Sequence, residues 1–468
     1  MNRPNIVLIV ADQFRGDCLG IAGHPDVKTP YLDTLASRGA YFPNMYTACP
    51  SCIPARAALL TGLSQEHHGR VGYRDGVPWR YEHTLPGELA RLGYYTQCVG
   101  KMHVHPLRSL MGFHNIELHD GYLHYYRRED TPAREYQPWA DDYLNWLKNE
   151  LGTLRDIDDS GVQCNSWVAR PWPHEEKYHP TNWVTDRALD FLRRRDHSMP
   201  FFLNVSYVRP HPPFDAPACY FDFYRGQQIA PPLSGDWDDA EAWLRHGREK
   251  DSYTGPSDPA MIREAQIGYY ACITHLDHQI GRLLEALPAN TVVVFTGDHG
   301  EMLCDHHLYR KSLPYRGSAN VPLIISGANA HGRMERLCEL RDILPTLACI
   351  AGGKAPAFSD GENLLDGAPG REFLHGEHTN GALSNHYIVT KRDKYVWFSQ
   401  TGREQYFDLA NDPTESHNVI NDPEHQPDVA RLRAALIDAL RGRPEGFVAD
   451  GTLVPGRPIS PLLPFVEV

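Results

Sequence analysis

A cysteine stands at the start of a short apolar segment that has the limits of a helix. Residues 52–62 read Cys-Ile-Pro-Ala-Arg-Ala-Ala-Leu-Leu-Thr-Gly. Proline is favoured in the first helical turn and glycine just after the last one, so the segment predicts a helix that begins with Pro54 and stops at Gly62. Cys52 then lies just ahead of the helix, where free backbone N–H groups and the helix dipole favour an anion. Arg56, one turn further on, adds a fixed positive charge.

The same cysteine is also the second of a Cys-x-x-Cys pair, because residues 49–52 read Cys-Pro-Ser-Cys. Such a pair is found in zinc sites and in thiol redox sites. A zinc ribbon needs a second pair, which the other eight cysteines do not supply. A thioredoxin-like site would have the pair early in a βαβ unit of a small domain, which is not evident here. Zinc binding and redox chemistry remain as the less favoured alternatives.

Polar side chains also follow four segments that predict buried strands. The segments and the residues after them are Asn5–Val10 with Asp12 and Gln13, Thr96–Val99 with Lys101 and His103, Phe201–Tyr207 with His211, and Thr291–Phe295 with Asp298 and His299. Ligands of parallel α/β sheets bind at the carboxyl ends of the strands. We therefore expect these side chains to meet at one edge of a sheet.

The first and last of these strands supply the residue types of a divalent-metal site. Asp12, Gln13, Asp298 and His299 offer two carboxylates, an amide oxygen and an imidazole, which suit a cation that prefers oxygen. An aspartate at a strand end is, taken alone, more often a helix cap. Taken together, the four residues predict a metal centre.

The segment 52–62 resembles the Cys-x-Pro-x-Arg-x-x-x-x-Thr-Gly signature of type I sulfatases of the alkaline phosphatase superfamily, and every specified position is met. In that family a maturation enzyme oxidises the cysteine to formylglycine (3-oxoalanine), whose hydrated aldehyde attacks sulfur. The resemblance implies that Cys52 is this residue. It also implies that the chain hydrolyses a sulfate monoester to an alcohol and inorganic sulfate.

The resemblance implies roles for the other candidate residues. In the family, two pairs of residues hold calcium beside the formylglycine, so the implied metal ligands are Asp12, Gln13, Cys52, Asp298 and His299. The implied catalytic residues are Cys52, Arg56, Lys101, His103, His211 and Lys311. Lys101 and His103 fall in a Gly-Lys-x-His element that holds the sulfate and serves the hydrated aldehyde, His211 matches the leaving-group histidine, and Lys311 matches a sulfate-binding lysine.

Three of these assignments have simpler alternative interpretations. His103-Val104-His105 reads as a bare metal chelate if the preceding Gly-Lys is ignored. His211 has proline neighbours, which mark loop residues in general. Lys311 is a lone lysine, and most lone lysines are solvated.

The metal pairs depart from the pattern that many sulfatases show. Those enzymes carry Asp-Asp and Asp-Asn, whereas this chain has Asp12-Gln13 and Asp298-His299. The same Gln and His variants occur in formylglycine-bearing phosphonate monoester hydrolases. One fewer carboxylate and an added nitrogen weaken the prediction of Ca²⁺ and admit Mn²⁺. A phosphonate monoester or phosphodiester hydrolase is therefore the first alternative, and an unmodified, catalytically silent binding protein is the alternative of another class.

Composition narrows the possible partners. The net charge of −13 argues against nucleic acid, and no apolar run approaches the length of a membrane span. The ten cysteines are scattered, and the N-terminus has no secretory pattern, so we expect a reduced, cytoplasmic protein. The substrate is predicted to be a small aryl, sugar or steroid sulfate, and the sequence leaves a homo-oligomer open.

Alternating strand and helix patterns predict an α/β fold, and the resemblance specifies an alkaline-phosphatase-like, mainly parallel sheet flanked by helices. We predict a catalytic domain over residues 1–370, with an insertion at about 121–173, and a small C-terminal α+β domain over 371–468. The smaller domain is expected to hold a short antiparallel sheet and one helix, Pro427–Arg441. Residues 406–418 resemble a run typical of sulfatase C-terminal domains.

Overall fold

The computed structural model describes residues 3–121, 139–153, 160–239 and 253–468. Its strands are β1 Asn5–Ala11, β2 Gly39–Tyr41, β3 Met45–Tyr46, β4 Tyr95–Gly100, β5 Asn115–Leu118, β6 Phe201–Tyr207, β7 Thr291–Gly297, β8 Leu323–Ser326, β9 Gly332–Arg333, β10 Cys338–Glu339, β11 Leu374–His378, β12 Asn385–Val389, β13 Lys394–Phe398, β14 Glu404–Phe407, β15 Val448–Ala449 and β16 Thr452–Leu453. The α-helices of these ranges are α1 Pro30–Ser37, α2 Cys52–Thr61, α3 Gln65–His68, α4 Leu85–Arg91, α5 Asp142–Leu151, α6 Pro180–Arg194, α7 Ala218–Arg225, α8 Pro259–Ala286, α9 Arg316–Ala319, α10 Ile343–Ile350 and α11 Gln426–Leu440.

The larger sheet has eight strands in the order β5-β4-β6-β1-β7-β8-β2-β9. The five strands from β5 to β7 run parallel to one another, which confirms the predicted fold class. Strand β8 belongs to the same sheet and pairs antiparallel with both β7 and β2. The parallel part has helices on both faces, as such sheets require.

Strand β1 shows how the two layers form. Its side chains alternate between the faces of the sheet, as the period of a strand requires. Val7 and Ile9 belong to the core beneath α6 and α8, whereas Ile6 and Leu8 belong to the core that α2, α4 and α10 cover. Helix α2 is therefore anchored on the second face, and its N-terminus lies near the carboxyl ends of the strands.

The C-terminal part contains the expected antiparallel sheet, β11-β12-β13-β14, and the expected helix, α11. One face of the sheet packs on α11, where Trp397, Leu432 and Leu436 belong to one hydrophobic core. The other face, with Tyr387 and Val396, shares a core with residues that belong to the first half of the fold and to the segment after β7. The small sheet therefore packs directly against the elements that carry the site.

The structure differs from the sequence prediction at the start of α2. The helix begins at Cys52 itself, with Ser51 as N-cap, and Pro54 lies inside the first turn. Proline is tolerated there because the first N–H groups of a helix have no internal partner. Gly62 ends the helix with a φ of 69°, a left-handed conformation that favours glycine. The predicted insertion lies partly outside the described residues, and its described part holds α5.

All ten cysteines are free, and eight of them are buried. Among the described residues, no helix combines the length and the apolar character that a membrane span needs.

Candidate active site

The carboxyl ends of the parallel strands meet beneath the N-terminus of α2. Ala11 at the end of β1 pairs with Tyr207 of β6 and with Gly297 of β7, so the residues that follow these strands emerge side by side. Backbone bonds tie the loops together, because His211 N–H donates to the carbonyl of Asp12 at 3.0 Å. The predicted convergence of polar residues at one sheet edge is therefore present.

Cys52 lies at the centre of this convergence. It is 2% exposed, and its Sγ lies 3.2 Å from His299 Nε2, 3.7 Å from Asp12 Oδ1 and 3.6 Å from Lys101 Nζ. Burial alone would raise the pKa of the thiol, but the charges of Lys101, Lys311 and His299 outweigh burial and hold it well below its usual value. Position 52 therefore favours a negatively charged group.

Four side chains form a compact set of metal donors. Donor atoms of Asp12, Cys52, Asp298 and His299 lie within 4.8 Å of one another, and all four residues are buried. His299 Nε2 is 3.4 Å from Asp12 Oδ1 and 3.7 Å from Asp298 Oδ1. Cys49 is not a member of the set, nor are His103 and His105, so the structure offers no support for a zinc site at the Cys-x-x-Cys pair or for the bare His-x-His chelate.

The charges of this set fit a divalent cation. Asp12 and Asp298 are both fully buried, and two close carboxylates resist being ionised together. Burial and the neighbouring charge of Asp12 raise the pKa of Asp298, whereas Lys101, His211 and His299 outweigh burial and lower that of Asp12. A cation between the two carboxylates would remove the conflict, so the residues present fit the metal that the sequence predicts.

Gln13 lies beside this set in a left-handed conformation, with a φ of 64°. Its backbone N–H donates to Asp298 Oδ1 at 3.0 Å, and its side-chain Nε2 donates to Glu301. The amide oxygen therefore faces the other way, where it accepts a hydrogen bond from Lys311 Nζ at 2.7 Å. The role of Gln13 as a metal ligand remains a prediction, but its orientation is fixed by the buried carboxylate of Glu301.

Arg56 and Lys101 bring positive charge to the floor of the site. Arg56 Nε donates to Asp298 Oδ2 at 2.9 Å, and its Nη1 donates to the carbonyl of Lys101 and to Ser206 Oγ. Its Nη2 is buried and has no hydrogen-bond partner among the described residues. Lys101, 1% exposed, forms an ion pair with Asp12 and faces Cys52. The two cationic side chains therefore lie close to position 52.

His103 is held in place by its backbone. The residue has a φ of 58°, and its N–H donates to Asp120 Oδ1 at 2.9 Å. Its imidazole is buried, lies 3.9 Å from Asp75 Oδ2 and is close enough to lower the pKa of Cys52. The ring of Tyr73, whose residue is 43% exposed, lies 5.9 Å from the imidazole.

His211 and Lys311 form a hydrogen-bonded pair. His211 Nδ1 donates to the carbonyl of Pro212 at 2.8 Å, and its Nε2 accepts from Lys311 Nζ at 2.8 Å. Burial and the charge of Lys311 lower the pKa of His211 to about 4, so the imidazole is neutral near pH 7. Lys311 is only 6% exposed, so the view of it as a solvated surface lysine is wrong.

The loop that delivers Lys311 is unusual in its backbone. Six non-glycine residues between 303 and 312 have a positive φ, which is uncommon outside glycine. Glu301 holds both ends of this loop, because its Oε1 accepts from the N–H of Leu303 and from that of Arg310. The same carboxylate thus fixes Gln13 and the loop of Lys311.

Every residue predicted for the site lies in this one region, but the sequence analysis missed three contributors. Glu301 lies three residues after Asp298 of the second metal pair, and that spacing was the available signal. Asp120 follows β5, a fifth parallel strand whose short Asn-Ile-Glu-Leu segment was not predicted. Tyr73 lies in a loop without any local signal, and only the tertiary structure brings it to His103.

The chain matches known proteins over most of its length. A family model described as Sulfatase matches residues 4–353. An arylsulfatase of Clostridium perfringens is 49% identical over 98% of this chain and 99% of its own length. A multifunctional alkaline phosphatase superfamily protein of Trinickia caryophylli is 29% identical, over 91% of this chain and 93% of its own.

Among solved structures, the phosphonate monoester hydrolase of Agrobacterium radiobacter superposes with a TM-score of 0.75. It is 26% identical in sequence, and the match covers 93% of this chain and 95% of the other.

Proposed function

This chain belongs to the sulfatase family and is a sulfuric ester hydrolase, and on that premise we propose that it works through a formylglycine formed from Cys52. The resemblance predicted from residues 52–62 is thereby confirmed at the level of the family. The observation that carries the proposal is the position of Cys52. Its Sγ lies within 3.7 Å of Asp12, His299 and Lys101, at the start of a helix.

Mass spectrometry of the peptide that contains Cys52 tests this modification directly. The protein is produced together with a formylglycine-generating maturation enzyme, and the expected product carries an aldehyde in place of the thiol. An aldehyde-reactive hydrazine should label the same peptide. An unmodified thiol in protein that nevertheless turns over a sulfate ester would overturn the proposal.

The side chains around position 52 explain how a sulfate group is held. Sulfate monoesters resist nucleophiles because their oxygens are negatively charged, so the site must neutralise this charge first. Arg56, Lys101 and Lys311 are all buried near Cys52 and supply three positive charges. In a buried site these charges act with little screening. We assign them to the sulfate oxygens.

The metal site would supply further charge and activate the nucleophile. When a divalent cation is bound by Asp12, Asp298 and His299, it acts as a Lewis acid toward oxygen and favours ionisation of a hydroxyl group at position 52. We propose Ca²⁺ as the cation and Mn²⁺ as its rival. The nitrogen of His299 favours manganese, and the two carboxylates suit either ion.

His211 and Lys311 are placed to assist the leaving group. The imidazole is neutral and accepts a hydrogen bond from Lys311 Nζ. We propose that Lys311 contacts both a sulfate oxygen and the departing alcohol oxygen and donates a proton to the alcohol as it leaves, while His211 orients the lysine side chain. His103, whose side chain interacts with that of Cys52, is assigned the removal of a proton from position 52 after transfer, which restores the aldehyde and expels sulfate.

Replacing His211 by asparagine is expected to slow hydrolysis most for sulfate esters of basic alcohols. Such leaving groups need a proton in the transition state, and general acid catalysis contributes about 10²–10⁴-fold. Nitrophenyl sulfate, whose leaving group is a weak base, should lose far less. The measurement is kcat/KM across a leaving-group series, with the exposed His197→Asn as the control variant. Equal losses across the series would contradict the assignment.

Tyr73 supports an aryl or other ring-bearing sulfate as the substrate. Its residue is 43% exposed and its ring lies next to that of His103, so it can contact both solvent and a bound ester. An aromatic ring stacked on another contributes about 0.5–1.5 kcal/mol. We therefore propose that Tyr73 binds the ring of the substrate, and we place aryl sulfates ahead of sugar and steroid sulfates.

The variant Tyr73→Ala is expected to raise KM for nitrophenyl sulfate by about 3–10-fold, the range that such stacking energies imply. The value of kcat should change little, since the ring touches no reacting atom. Tyr31→Ala, which removes an exposed tyrosine of α1, is the matched control. If KM for nitrophenyl sulfate rises no more than KM for a small alkyl sulfate, the assignment to the ring is wrong.

A phosphonate monoester or phosphodiester hydrolase is the second candidate activity. It is favoured by the solved phosphonate monoester hydrolase, which is 26% identical to this chain. The values of kcat/KM for nitrophenyl sulfate and for a matched aryl phosphonate monoester decide between the activities. We expect the sulfate to be preferred, because the relative at 49% identity is an arylsulfatase.

The cellular setting is also a proposal. We propose a reduced, cytoplasmic environment, which the ten free cysteines support. Fractionation of the cells that make the protein tests this.

A further inference from the structure

A second set of metal donors lies on the small C-terminal sheet, outside the active site. It consists of His375 and Glu377 on β11 and His386 on β12, and one donor atom of each lies within 4.8 Å of the other two. His375 and Glu377 are two residues apart on one strand, so they share a face. His386 pairs directly with Glu377 in the antiparallel register and therefore lies on that same face.

The distances between these atoms match those of ligands around one small cation. His375 Nε2 lies 3.3 Å from His386 Nδ1, and His386 Nδ1 lies 3.8 Å from Glu377 Oε2. Ligands of a tetrahedral zinc ion at about 2.0–2.1 Å are separated from each other by roughly 3.4 Å. The two imidazole rings are nearly parallel, with an angle of 12° between their planes and 5.5 Å between their centroids.

The neighbouring side chains orient these donors. Glu66 Oε1 lies 3.4 Å from His375 Nδ1, which leaves Nε2 of that ring as the ligand atom. Arg443 donates to both oxygens of Glu377, at 2.8 and 3.0 Å. A carboxylate has about four acceptor positions, so Glu377 Oε2 can accept this bond and still bind a metal.

The charges of the cluster favour a divalent cation. Three carboxylates, those of Glu66, Glu377 and Glu445, face one guanidinium, that of Arg443, which pairs with Glu377 and Glu445. The set therefore carries an excess of negative charge that a cation with two positive charges would balance.

We propose that His375, Glu377 and His386 bind a zinc ion, with water as the fourth ligand. Two histidines and one carboxylate are donors that zinc accepts readily. The ion would stabilise β11, which supports the active site: Glu377 N–H donates to the carbonyl of Ala48, and His378 Nε2 lies 2.9 Å from Ser51 Oγ, next to Cys52. Its role is structural, and it takes no part in sulfate transfer.

The test counts zinc in a protein whose catalytic metal site has been removed. The double variant Asp12→Ala/Asp298→Ala is dialysed against a chelator, then against ZnCl₂, and bound zinc is measured by inductively coupled plasma mass spectrometry. We expect one zinc ion per chain and a higher unfolding temperature with zinc. Adding His375→Ala should abolish both effects, whereas adding His417→Ala, an exposed histidine, should leave them unchanged.

If the double variant does not fold, the count is made on the unaltered protein with the catalytic site filled by Ca²⁺. The expected result is then one zinc ion that His375→Ala removes. Substitution of Co²⁺ for zinc should give visible absorption bands of a tetrahedral site. Zinc uptake that His375→Ala leaves unchanged, or no uptake at all, overturns the proposal and leaves a plain hydrogen bond between the two imidazoles. The count does not depend on turnover, so it is independent of the proposed function.

Discussion

Replacing Cys52 by alanine is expected to abolish sulfate ester hydrolysis while the fold is retained. Alanine has no group from which an aldehyde can form, and the loss of a nucleophile lowers kcat by about 10⁴-fold or more. Cys52 is the first residue of α2, where alanine is well tolerated, so the helix should persist. Asp12, Asp298 and His299 remain as metal donors, and a bound cation should be retained with reduced affinity.

The matched control is Cys49→Ala, which removes a buried thiol from the same loop. Cys49 lies outside the set of metal donors, so this variant should keep its activity. The pair of variants also separates sulfatase chemistry from redox chemistry, because a Cys-x-x-Cys redox site needs both thiols. Activity is measured with nitrophenyl sulfate, and folding by circular dichroism. Wild-type rates in Cys52→Ala would show that the nucleophile has been assigned wrongly.

Removal of the divalent cation is expected to have a comparably large effect. Asp12 and Asp298 are fully buried at the bottom of the site, and without a cation their charges oppose each other. A metal ion contributes several kcal/mol to transition-state stabilisation, so dialysis against a chelator should lower kcat by about 10³-fold or more. Addition of Ca²⁺, Mn²⁺ or Mg²⁺ to separate samples should restore the rate, and the ion that restores it at the lowest concentration identifies the preferred metal.

The variant Asp298→Asn tests the same metal site by mutation. The amide keeps the shape of the side chain but removes the charge that binds the cation and pairs with Arg56. Loss of one partner of a buried ion pair costs about 3–5 kcal/mol, so the unfolding temperature should fall as well. Asp342→Asn, which alters a buried carboxylate paired with Arg371 outside the active site, controls for the loss of a buried ion pair. A fully active, metal-free Asp298→Asn protein would contradict the proposed metal site.

Much of the fold could be predicted because its parallel strands are continuous apolar runs. Segment 201–207 was predicted with its exact limits, and the C-terminal helix α11, predicted over Pro427–Arg441, begins and ends one residue earlier. Strands buried on both faces carry this pattern in the sequence itself. Short strands such as β5 and β11 lack it, because their side chains alternate with polar residues that find partners only in the folded chain.

By itself, the sequence determined the chemistry of position 52 and the residue types around it. The spacing from Cys52 to Gly62 encodes a helix N-terminus, and polar residues at four strand ends encode a shared edge, because both signals are local. The tertiary structure alone decided which charges face each other. Lys311 meets His211 across 100 residues, and Glu301 fixes Gln13 across 288. Such pairings depend on loop paths and strand order, which no local pattern records.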